Sequence, residues 1–139
     1  MVDKDPVRIQ RWNSRHLPVH EPGLHRLVRV SRDGTKETSL PTNGSEQETI
    51  LCERQPNLFF STAVESCIAV ADIVFISVNT PTKASGIGAG AATSLAALES
   101  AVITVAQTIK PGAIIVEKST VPCGTAETIR SIVRVANPR

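Results

Sequence analysis

The chain has 139 residues and a formal charge of +2, from 15 Lys and Arg against 13 Asp and Glu, with 41% hydrophobic and 20% charged residues. That composition describes one soluble globular domain able to bury a core without disulfides or metal, and its small, interspersed charge excludes phosphate-backbone binding as the main task. No window reaches the ~18 apolar residues of a membrane span, the opening MVDKDPVRIQR has no apolar signal core, and Cys52, Cys67 and Cys123 form no CxxC, so a reducing, cytoplasmic setting without membrane or nucleic-acid partners is expected.

Val2-Asp3 reads as the end of a strand, after which Asp5 and Pro6 supply an N-cap and a first-turn proline for a short helix carrying Ile9 and Trp12 and stopping near Asn13-Ser14. A loop with two prolines follows, and Leu24, Leu27 and Val28 mark a second helix ending around Gly34. The stretch at about 35–55 is rich in Thr, Ser, Glu, Asn and Gln and is expected to be a flexible polar insertion. Beyond it Leu58-Phe59-Phe60 predicts a short buried strand, and Thr62 with Glu65 a capping box. The run 73–78 (IVFISV) predicts a strand covered on both faces. From about Leu95, the residues Leu98, Val102, Val105 and Ile109 predict a longer helix stopped by Pro111-Gly112. Residues 113–116 (AIIV) predict another strand, and a last helix from about Thr125 carries Ile129, Ile132 and Val133. Strand and helix alternate, the pattern of an α/β fold with a parallel sheet.

Ligands of such sheets bind outside the carboxyl ends of the strands, where loops converge and helices begin. Here those ends read Val-Asp at 2–3, Ser-Thr at 61–62, Val-Asn-Thr-Pro-Thr at 78–82 and Lys-Ser-Thr-Val at 118–121. Asp3 is the type of residue that accepts ribose hydroxyls at the end of a dinucleotide fold's second strand. The glycine pattern Gly86-Ile87-Gly88-Ala89-Gly90-Ala91 satisfies G-x-G-x-x-A by letter, but residues 79–85 separate it from the preceding strand, so it reads as a flexible loop. His16, His20 and His25 form no metal motif, since Pro18 keeps the first two off one helical face, and no metal is expected. Cys123 precedes a helix start without an acid-base partner and reads as a structural thiol, while Lys118 has no assigned role.

The segments LPVHEPGL (17–24), NLFFST (57–62), SVNTPTK (77–83) and EKSTVP (117–122) occur in that order. Together they resemble the NAD-binding domain of the UDP-glucose 6-dehydrogenases, of the UDP-glucose/GDP-mannose dehydrogenase family, across nearly all of the chain outside the insertion. The resemblance implies an incomplete Rossmann-type doubly wound sheet over 1–139, lacking its first strand and Gly-rich turn. It implies that Asp3 holds the adenosine ribose, that Arg8 lies beside the adenosine end, and that Val78, Asn79, Thr80, Pro81 and Thr82 with Ser119, Thr120 and Val121 line the NAD pocket. Thr120 is implied to sit nearest nicotinamide and substrate, in a supporting role. Intact relatives take UDP-glucose and two NAD to UDP-glucuronate as homo-oligomers, through a cysteine thiolate that keeps the aldehyde from escaping. That cysteine's motif is not found around Cys52, Cys67 or Cys123, and Ala91 and Ser94 stand where the family often has a basic residue and an Asp. The chain alone is therefore expected to be inactive. Two other readings remain at this point: a non-enzymatic nucleotide-binding or interaction module, and an incomplete gene model with no independent function.

Overall fold

The first helix starts as the chemistry of its first residues requires. In this computed structural model the Asp5 carboxylate accepts the amides of Val7 (2.9 Å) and Arg8 (3.2 Å), and Pro6 opens α1 (Pro6–Asn13). The structure describes residues 1–35, 38–39, 49–50 and 53–137. They form two compact units, Met1–Val64 and Glu65–Arg139.

In the first unit α1 is followed by α2 (Leu24–Asp33), which ends on Gly34 with its amide bonded to the Val30 carbonyl. Ile9, Val28 and Phe60 form the buried core, with Trp12, Leu17, Leu24 and Leu58 packed around it. The rings of Trp12 and Phe60 are stacked, centroids 5.1 Å apart. Val2 pairs in parallel with Ser61, through Asp3 N–H to the Ser61 carbonyl (3.2 Å) and Ser61 N–H to the Met1 carbonyl (3.1 Å). The strand expectation at 58–60 needs correction, because Phe60 is buried while its neighbour Phe59 is 67% exposed. Successive side chains of an extended segment point to opposite faces, and only one face meets the helices. Leu27 is likewise exposed, so α2 turns Val28 inward instead.

Most of the polar insertion expected at 35–55 lies outside the described residues. Its described parts pair antiparallel: Thr35 with Arg54, and β1 (Thr38–Ser39) with β2 (Thr49–Ile50).

The second unit begins in α3 (Val64–Val70). The capping hydroxyl found at its start is that of Ser61, which accepts the Ala63 amide at 3.0 Å, one residue before the expected Thr62. Strand β3 (Ile73–Ile76) pairs in parallel with β4 (Ile114–Glu117), in the register Ile73 to Ile114 through Ile76 to Glu117. The crossover is α4 (Ala96–Thr108), whose Leu98, Val102, Val105 and Ala106 are buried, and α5 (Thr125–Ala136), with Ile129 buried, packs against it. Parallel strands require such a long connection, and the apolar side of α4 covers β3. The other face is open: Ile73, Phe75 and Ile114 are 50%, 62% and 57% exposed. The expectation of a strand covered on both faces over 73–78 is therefore corrected twice, in its end at Ile76 and in its bare side. At the amino end of β3, Lys110 Nζ reaches the Val70 carbonyl (3.2 Å) and the Asp72 carboxylate (2.6 Å), and this hydrogen bond holds the Asp72 carboxyl below its ordinary value.

Candidate functional site

The carboxyl ends of the parallel strands gather the hydroxyl, amide and carboxylate groups singled out in the sequence, each set in its own unit. In the first, Asp3 follows Val2 directly and is three-quarters buried in its side chain; its Oδ2 receives Arg8 Nη1 at 2.8 Å and its Oδ1 receives the Asp5 amide at 2.9 Å. These contacts fix the carboxylate while leaving further lone pairs, since an ionised carboxylate offers about four acceptor positions. A carboxylate so oriented fits a pair of vicinal hydroxyls. Arg8 is half-exposed and is held beside Asp3 by this ion pair.

In the second unit, β3 runs into Val78, Asn79, Thr80, Pro81 and Thr82, and β4 into Lys118, Ser119, Thr120 and Val121. The two segments are joined side by side. The Ser119 hydroxyl accepts the Val78 amide at 2.9 Å and donates to the Val78 carbonyl at 3.0 Å, and the Thr80 hydroxyl donates to the Thr120 carbonyl at 2.8 Å. Asn79, Thr82 and Thr120 are exposed. Glu117, last residue of β4, has a sealed carboxylate oxygen, Oε1, without a hydrogen-bond partner among the described residues.

The glycine pattern at 86–91 neither follows β3 directly nor opens α4, so its backbone amides are not those of a strand-to-helix phosphate turn. It forms a loop closed at its base by Thr82 paired with Thr93, and several of its amides are used internally: Gly90 N–H meets the Lys83 carbonyl at 2.9 Å and Ala92 N–H the Gly88 carbonyl at 2.7 Å. The Cys123 thiol, expected to be structural, is exposed. A hollow of about 180 Å³, lined by Val30, Ser31, Arg54, Gln55 and Asn57, lies at the amino end of the 58–61 segment, opposite to Asp3. It is thus at the wrong end of the strand for a ligand of this sheet type.

A sequence profile of the UDP-glucose/GDP-mannose dehydrogenase family, NAD binding domain, matches residues 33–138. The chain belongs to that family. It is 45% identical over 132 residues to UDP-glucose 6-dehydrogenase 3 of Oryza sativa subsp. japonica, covering 95% of this chain and 23% of the relative. It is 42% identical over 134 residues to the UDP-glucose 6-dehydrogenase of Drosophila melanogaster, covering 96% and 24%. Among solved structures, a ternary complex of GDP-mannose dehydrogenase from Pseudomonas aeruginosa superposes with a TM-score of 0.72 at 22% identity, over 99% of this chain and 27% of that one. The fold is accordingly a partial Rossmann-type α/β arrangement, and the cofactor of the domain family is NAD. The chain spans about a quarter of the length of the curated relatives it matches. Among the described residues no helix is long and apolar enough to cross a membrane.

The loops at 78–82 and 119–121 were legible as strand ends. Their mutual hydrogen bonds were not, because they join residues some 40 positions apart.

Proposed function

We propose that residues 1–139 form the NAD-binding portion of a UDP-glucose 6-dehydrogenase. Asp3, steadied by Arg8, takes the adenosine ribose hydroxyls, while Val78 to Thr82 and Ser119 to Val121 line the cofactor. The observation that carries this reading is the junction of the two strand-end segments at Ser119 and Thr80, within a family whose domain takes NAD. Bound NAD supplies the hydride acceptor. The residues here bind and orient it, and the exposed Thr120 hydroxyl offers one donor and two acceptor positions toward nicotinamide or substrate. UDP-glucose, homo-oligomer formation and a cytoplasmic setting belong to the intact enzyme in this proposal, and the 139-residue chain alone does not turn over. An interaction module is the second reading, favoured by the open face of Ile73, Phe75 and Ile114. NAD titration of the chain, followed by amide NMR, distinguishes them. NAD binding predicts shifts at Asp3, Asn79, Thr82 and Thr120; no shift at millimolar NAD would defeat the reading, and shifts confined to 86–91 would relocate the site.

A further inference from the structure

The backbone hydrogen bonds at the end of the β3–β4 ladder divide the strand-end residues into two kinds. The ladder closes on the Ile76 carbonyl, which accepts the amides of both Lys118 (2.9 Å) and Ser119 (3.2 Å). Val78 is half-buried just beyond, where a carbonyl of β4 no longer meets its amide, and an amide left without a partner there would be costly. The Ser119 hydroxyl takes the place of that carbonyl. It accepts Val78 N–H at 2.9 Å and donates its proton back to the Val78 carbonyl at 3.0 Å, with the Ile76 carbonyl a longer second acceptor at 3.4 Å. From the other loop Thr80 reciprocates, its hydroxyl donating to the Thr120 carbonyl at 2.8 Å. A hydroxyl has one proton, and in both residues that proton is committed to backbone.

We propose that Ser119 and Thr80 are positioning residues, which line the cofactor without donating their hydroxyl protons to it. Their hydroxyls extend the sheet by side chain and fasten 78–82 to 119–121 as one platform, so that the exposed Asn79, Thr82 and Thr120 are presented in fixed relation. The statement about fastening stands on the hydrogen bonds alone; what the platform presents to NAD rests on the function proposed above.

Threonine and valine have the same shape, so Ser119→Thr and Ser119→Val differ only in the hydroxyl. In the full 139-residue chain without NAD, hydrogen exchange at the Val78 amide should stay within about twofold of the parent in Ser119→Thr and quicken roughly tenfold in Ser119→Val. For the second fastening, the carbonyl carbon shift of Thr120 should move in Thr80→Val and return in Thr80→Ser. Unchanged Val78 exchange in Ser119→Val overturns the proposal. NAD titration of the same variants adds the second arm: affinity should follow the exchange rate across the series. A Ser119→Ala variant that loses NAD affinity while Val78 exchange stays at the parental rate would make Ser119 a ligand and overturn the assignment. If the parent itself shows no response to NAD, the function proposed above fails, and the exchange series still decides the fastening.

Discussion

Arg32 shows how one side chain can organise a unit. Its side chain is 13% exposed, and Nη1 donates to the carbonyls of Trp12 (2.7 Å) and Ser14 (2.8 Å), which closes the end of α1 onto α2. Nε and Nη2 grip both oxygens of Asp33 at 2.7 and 3.0 Å. That hydrogen bond raises the arginine's pKa and holds the Asp33 carboxyl below its ordinary value. Replacing Arg32 by Met leaves two carbonyls without their charged donor and should cost about 2 kcal/mol in urea unfolding. Asp33 has its lower value in the folded state, so its contribution is present above the usual carboxylate range and is lost as pH falls through the folded value. The parent should therefore lose stability in acid more steeply than Arg32→Met, and parallel acid profiles of the two proteins would defeat that expectation. Glycines supply a second comparison at this scale. Gly23 and Gly34 both have positive φ, 80° and 77°, but a Cβ at Gly34 would stand 2.6 Å from the Arg54 carbonyl oxygen, whereas among the described residues nothing lies within 4 Å at Gly23. Gly23→Ala should cost roughly 1–2 kcal/mol from backbone strain alone, and Gly34→Ala more. Equal melting points for the two variants would mean that the Arg54 strand yields freely.

Helices were legible where the sequence itself carries both pattern and punctuation. Asp5-Pro6 specified the start of α1, Gly34 the end of α2, and Leu98, Val102 and Val105 the buried stripe of α4. Strands were less legible, because IVFISV is apolar at every position and cannot say which of its faces has a neighbour. Phe75 and Phe59 look as buried as Ile76 and Phe60 in sequence, and only packing separates them. The Arg32 contacts and the Ser119 fastening were hidden for another reason: each joins groups far apart in the chain, and Arg, Ser and Thr occupy many surfaces without such roles. In the 35–55 insertion the paired ends Thr35 and Arg54 were not foreseen from a composition this polar. We predict that the insertion is nonetheless the first segment cut in limited proteolysis, because its composition offers little apolar surface to hold it. Mass spectrometry of the early fragments tests this. Early cleavage within 73–78 would instead show that the β3–α4–β4 core opens first.

At the scale of the whole molecule, two observations bear on how tightly this chain can hold NAD. In the glycine segment 86–91 the amides of Ala89, Gly90 and Ala91 are bonded to carbonyls of its own loop, and the segment opens no helix whose amides could converge on a pyrophosphate. Strand β3 pairs only with β4 among the described residues, and Ile73 and Phe75 stand on an open face beside its other edge. A parallel strand with a bare apolar side invites pairing with another chain. Both conditions would be answered by the same addition, a strand-GxGxxG-helix segment placed ahead of Met1. Its strand can pair along β3, and the helix that follows brings amides and a positive dipole end to the phosphates. We expect the extended chain to be more soluble and to bind NAD at least about tenfold more tightly, the equivalent of one charge-assisted hydrogen bond. Under the function proposed above, neither protein should form NADH from UDP-glucose. Calorimetric titration of both proteins, with sedimentation to fix their state of association, supplies the comparison. Tight NAD binding by the unextended 139-residue monomer, weakened by a Gly88→Val substitution, would show that 86–91 rearranges into the phosphate loop and that the strand ends alone do not define the site.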